Sequence, residues 1–132
     1  MRITADTNVL LRAILDDDPA QQRMAVEALE GADLVAVSLQ SLCEFAWILE
    51  RSYGVGRADI ATAIRVLLAM RNVAINHPAA EAGLSLLETG GDFADGVIAY
   101  DGHWLGGDTF VSFDKKAVKL LVAQGRPAQL LA

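Results

Sequence analysis

The chain has 132 residues, 53% apolar and 21% charged, with 11 basic against 17 acidic side chains and a net charge of −6. Those proportions exclude a disordered chain, argue mildly against a broad basic face for duplex nucleic acid, and suit one globular domain over residues 1–132. The longest charge-free stretch, Leu34 to Cys43, is ten residues against the roughly 18–20 of a membrane span, so no membrane segment is expected. Asp6 interrupts any apolar leader, and the single cysteine, Cys43, offers no internal disulfide, which together point to the cytoplasm.

Short β-like runs alternate with helical ones. Arg2–Ala5 predicts a strand and Asn8–Leu15 a helix, broken by Asp16, Asp17, Asp18 and Pro19. Pro19 suits the opening of the next helix, Ala20–Glu30, and Gly31 its stop. Leu34–Val37 reads as a second strand, Leu39–Arg51 as an apolar helix ended near Gly54, and Ala58–Met70 as another helix. Val73–Ile75 is a short third strand. Pro78–Glu88 is helical and closed by Gly90 and Gly91; a helix from about Asp92 to Leu105 follows, broken by Gly106 and Gly107. Thr109–Phe113 is the clearest strand, and Ala117–Ala123 the last helix. Trp47, Trp104 and the other aromatics at helical spacing read as core. Such alternation implies an α/β fold with a parallel sheet and helices on its faces, and in such sheets sites form beyond the carboxyl ends of the strands.

Four carboxylates fall in apolar settings or at strand ends. Asp6 ends the first strand, Glu44 lies in LCEFAWIL, Asp95 in FADGVIA, and Asp114 ends TFVSF. Converging unpaired carboxylates repel one another and are costly to shield from water; a divalent cation removes both problems. Oxygen ligands suit Mg²⁺ or Mn²⁺, and no histidine or cysteine cluster supports zinc. Each residue also has a local alternative. Asp6 and Asp114 suit helix N-caps, Glu44 could close a capping box with Ser41, and Asp92 could be an N-cap with Asp95 a favourable first-turn acid. Lys115 and Lys116 would then oppose the helix dipole and need a partner, either Asp114 or a phosphate.

Together these segments resemble the PIN-domain ribonucleases, in particular the VapC-type toxins of bacterial toxin–antitoxin pairs. ITADTNVLLRAIL is similar to the family's first strand, catalytic Asp and helix; VSLQSLCEFAWILERSYG to its second acidic motif; GGDFADGVIAY to its third; and TFVSFDKKAVKLL to its fourth. The resemblance implies a three-layer sandwich whose central, mostly parallel sheet of four or five strands carries helices on both faces. It implies one or two Mg²⁺ or Mn²⁺ ions, cleavage of single-stranded RNA, a homodimer and a cognate antitoxin. Asp6, Glu44, Asp95 and Asp114 carry over as metal ligands. Thr7, Asn8 and Ser112 carry over as their hydrogen-bonding neighbours, with Asp92 as an accessory acid.

Metal-activated water would attack the phosphodiester in line, leaving 5′-phosphate and 3′-hydroxyl ends. Arg12, Arg51, Lys115, Lys116 and Lys119 are candidates for flanking phosphates, and splayed single strands can enter such a site. Two readings compete. An Asp-phosphate phosphotransferase also places an Asp after the first strand, but here Asn8 stands two residues beyond Asp6, and Glu44 has no role in that chemistry. A non-catalytic module could instead bind a basic partner segment through its acidic pocket. A DNA-acting nuclease of the same fold is a closer variant of the first reading.

Overall fold

Three short extended stretches of the N-terminal half pair side by side: β1 (Arg2–Thr4), β2 (Leu34–Ala36) and β3 (Val73–Ala74). The computed structural model, which describes residues 1–132, has two compact units, Met1–His77 and Pro78–Ala132. In the first unit the three strands are parallel in the order β1–β2–β3, with Ile3 opposite Val35 and Val35 opposite Val73. The central position of β2 explains why Val35 is fully buried. Parallel neighbours need crossover connections. These are α1 (Thr7–Ile14) and α2 (Pro19–Gly31) between β1 and β2, then α3 (Leu39–Tyr53) and α4 (Arg57–Ala69) between β2 and β3.

The local chemistry sets where each helix begins. Asp18 accepts from the Gln21 N–H and Pro19 takes the first helical position, where its missing donor is not needed. Ser38 accepts from the Ser41 N–H and caps α3. Gly54 ends α3 at φ 61°, a left-handed conformation that favours glycine, and its N–H returns to the Glu50 carbonyl. Leu10, Leu42, Phe45, Leu49, Ile60 and Ile64 form the core of this unit. The Asn72 side chain donates to the Leu29 and Ala32 carbonyls, tying the end of α2 to the start of β3.

The second unit contains α5 (His77–Glu88, from its second residue), α6 (Phe93–Trp104), β4 (Phe110–Ser112), α7 (Lys115–Ala123) and β5 (Ala128–Leu130). β4 and β5 are parallel, with Val111 opposite Gln129 and α7 as the crossover. Helices α5 and α6 meet through glycines. A Cβ on Gly83 would lie 2.6 Å from the Phe93 ring, and one on Gly96 would collide with the Ala82 carbonyl oxygen and the Gly83 Cα. Phe93, Ala79, Ala80, Leu84, Leu86 and Leu87 are buried.

The α/β class and the parallel pairing agree with the reading of the sequence. The five strands are hydrogen-bonded as a sheet of three and a sheet of two. β5 is a strand the sequence did not reveal. Its three residues, Ala-Gln-Leu, include no β-branched or aromatic side chain and are too few for a periodic signal, and it exists because β4 offers an edge: the Leu131 N–H reaches the Ser112 carbonyl at 2.8 Å. Two aromatics expected in the core lie outside it. Trp47 is 53% exposed because Leu42, Phe45, Ala46 and Leu49 form the buried stripe of α3 and Trp47 points away from it. Trp104 is 73% exposed because α6 buries only Phe93, Gly96 and Val97, all in its first half. Its indole packs against Tyr100 and His103, with ring centroids 6.4 and 6.1 Å away.

Replacing Gly96 with alanine forces α5 and α6 apart. Overpacking of this kind costs about 1–3 kcal/mol, and a denaturant titration should show the corresponding fall in unfolding midpoint. An alanine at Gly102, where nothing stands within 4 Å of a Cβ, should leave the midpoint unchanged or raised.

Candidate metal centre

In the N-terminal unit, β1 runs through Ala5, whose N–H still bonds the Ala36 carbonyl, and delivers Asp6 to the carboxyl end of the sheet. There Asp6 caps α1: its Oδ1 accepts from the Val9 N–H at 2.9 Å. The second oxygen, Oδ2, makes no bond within the chain, so capping leaves one lone-pair set of the carboxylate for another ligand. Thr7 opens α1, and its hydroxyl donates to Glu44 Oε1 on α3 at 3.3 Å. This bond links the first helix to the second acidic segment and orients Glu44. Because Ser38 is the cap of α3, the capping box between Ser41 and Glu44 does not form; Glu44 lies more than a turn into the helix. Asn8 stands exposed beside Asp6.

In the C-terminal unit, Asp92 is the N-cap residue of α6, yet its side chain makes no capping bond. Asp95 sits in the first turn of the same helix, half-buried and without any hydrogen bond. Burial pushes its carboxyl above the usual carboxylate range, and the charges of Asp92 and Asp114 push it the same way. Asp114 caps α7, its Oδ1 accepting from the N–H groups of Lys116 at 2.9 Å and Ala117 at 3.1 Å. As with Asp6, Oδ2 is left over. The Ser112 hydroxyl accepts from the Asp114 N–H at 2.9 Å and holds the turn that carries it.

The expectation that all four acids are shielded from water is corrected. No charged side chain is buried; Asp6, Glu44 and Asp114 are exposed, and Asp95 alone is half-buried. Two of the exposed three cap helix N-termini, where the free N–H groups face outward, and Glu44 lies off the buried stripe of α3. Nor do three carboxylates, histidines or cysteines stand together as a ready-made cage. The donor chemistry nonetheless suits a hard divalent cation. In the C-terminal unit Asp114 keeps an oxygen unused by the chain and Asp95 carries repulsion that a cation would relieve; in the N-terminal unit Asp6 keeps an unused oxygen of its own.

The basic candidates divide. Arg12 is engaged within the fold, paired with Asp17 at 2.8 Å and donating to the Tyr53 hydroxyl at 3.1 Å. Arg51 lies over the Trp47 ring, 5.9 Å from its centroid, within cation–π range. Lys115, Lys116 and Lys119 are exposed and form no ion pair. A cleft in the C-terminal unit lined by His103, Asp108 and Arg126 lies away from these acids: His103 is about 12 Å along α6 from Asp95.

A family model described as PIN domain matches residues 3–120 of the chain. No curated protein matches it.

The raised pKa of Asp95 has a stability consequence. A carboxyl raised on folding contributes stability that is complete below the ordinary carboxylate range and lost as pH rises through the raised value. Without divalent ions, Asp95→Asn should therefore unfold at a higher temperature than the unaltered protein at pH 7, and the two should converge at acid pH. Mg²⁺ should raise the midpoint of the unaltered protein more than that of Asp95→Asn. Thermal melts across pH, with and without Mg²⁺, measure both.

Proposed function

Since the chain belongs to the PIN-domain family, whose members are generally metal-dependent nucleases, we propose that it is an endoribonuclease cleaving single-stranded RNA, with Asp6, Glu44, Asp95 and Asp114 as its metal-binding carboxylates. The observation that carries this reading is the uncompensated charge around Asp95, raised by burial and by Asp92 and Asp114 with no cation of the chain beside it. The spare oxygens of the capping residues Asp6 and Asp114 support it.

One or two Mg²⁺ or Mn²⁺ ions held by these carboxylates would supply an activated water and positive charge for the leaving oxygen. The chain's own residues do the rest. Glu44, oriented by the Thr7 hydroxyl, and Asp95 are the groups suited to orient the attacking water and take its proton. Ser112 fixes the Asp114 turn. Lys115, Lys116 and Lys119 are the cations open to flanking phosphates, while Arg12 serves the fold. The products carry 5′-phosphate and 3′-hydroxyl ends.

Residues 1–132 act in this reading as one nuclease domain, the toxin of a VapC-type toxin–antitoxin pair. It works in the cytoplasm as a homodimer and is blocked by a cognate antitoxin. No helix is long and apolar enough to cross a membrane.

The test is cleavage of a mixed single-stranded RNA pool in Mg²⁺, Mn²⁺ or chelator. Cleavage should need metal and leave 5′-phosphates. Asp95→Asn should lose at least about 100-fold, since outer-sphere partners alone are worth 10–100-fold. Asp6→Asn should lose a similar factor with its melting point nearly intact, because an asparagine oxygen caps a helix as well as aspartate does. Full activity in chelator, or in Asp95→Asn, would remove the proposal.

A further inference from the structure

We propose that Phe113 is a base-stacking platform that positions single-stranded RNA at the Asp114 end of the site; this rests on the nuclease reading above. Phe113 is 78% exposed, more than any other aromatic side chain of the protein. It stands in the bend between β4 and α7, next to a strand in which Phe110 and Ser112 are half-buried and Val111 is exposed. An aromatic ring left there gains nothing for the fold by burial.

Phe113 is displayed rigidly. On one side the Ser112 hydroxyl accepts from the Asp114 N–H at 2.9 Å; on the other the Asp114 carboxylate accepts from Lys116 and Ala117. The backbone on either side of Phe113 is therefore pinned, and only two side-chain torsions remain to be ordered when a ligand stacks. Its sequence neighbour Asp114 is a proposed metal ligand whose charge reaches Asp95. Beyond it, Lys115 and Lys116 open α7 exposed and without ion pairs, against the helix dipole. An exposed ring, adjacent free cations and an acidic centre match the base, the phosphates and the reacting phosphodiester of one strand. A dry protein interface fits less well, because charged residues are depleted at the centre of such interfaces.

Initial rates on short single-stranded RNA in Mg²⁺ test this with the full chain and its variants Phe113→Ala, Phe113→Leu and Phe113→Tyr. Stacking on an aromatic ring is worth roughly tenfold to a hundredfold in binding. Phe113→Ala should raise KM by about that factor with kcat little changed, Phe113→Tyr should keep the original KM, and Phe113→Leu should behave as alanine. In the unaltered protein one abasic position in the RNA should raise KM equally, and in Phe113→Ala that position should have no effect. An unchanged KM in Phe113→Ala, or rescue by leucine as good as by tyrosine, overturns the inference while leaving the nuclease reading intact. Absence of cleavage by the unaltered protein removes both. Melting curves of all four proteins should coincide, because the ring is not packed in the core.

Discussion

The need to start a helix at the carboxyl end of a parallel strand governs most of what this protein presents to its surroundings. A parallel neighbour can be reached only through a crossover, and each crossover helix begins with N–H groups that no earlier turn can satisfy. After β1 the acceptor is Asp6, after β2 it is Ser38, and after β4 it is Asp114. Two of these three acceptors are carboxylates. A hydroxyl cap presents only a neutral group, whereas an aspartate that caps with one oxygen still holds a charged oxygen in reserve. The same residues that close the backbone hydrogen bonds thus place negative charge where α/β sheets bind their ligands.

In the C-terminal unit that charge is gathered against its own repulsion. Asp95 would be easier to ionise if Asp92 and Asp114 were elsewhere or if it were fully in water. It stays in place because α6 is fastened to α5 by a glycine contact one residue away, where Gly96 meets Ala82 and Gly83. Backbone packing at Gly96 is a rigid constraint on the helix that carries Asp95. An arrangement that holds like charges together without a counter-charge is an arrangement suited to a cation, and this gives physical content to the PIN-family membership in a chain of net charge −6.

The exposed aromatics divide along the same line between fold and function. Trp104 meets Tyr100 at a tilt and His103 edge-on at the far end of α6, and Trp47 takes the guanidinium of Arg51 on its face. Both rings have partners within the chain. Phe113 has charged neighbours and no ring or cation upon it, which is why it is the one assigned to a ligand.

By itself the sequence determined the succession of strands and helices, the parallel α/β class and the positions of the carboxylates at strand ends. These depend on periodicity, on breakers such as Pro19 and Gly54, and on side chains that cap their own helix, all within a few residues along the chain. The caps of Asp6 and Asp114 were legible for that reason. Only the tertiary structure decided which residues are shielded and which partners they take. It turned Glu44 towards Thr7, drew Arg12 to Tyr53, and turned Trp47 and Trp104 outward. It also made a strand of Ala128–Leu130 by offering it the edge of β4. Each of these depends on what a distant segment brings alongside, and no local pattern of residue types contains that information.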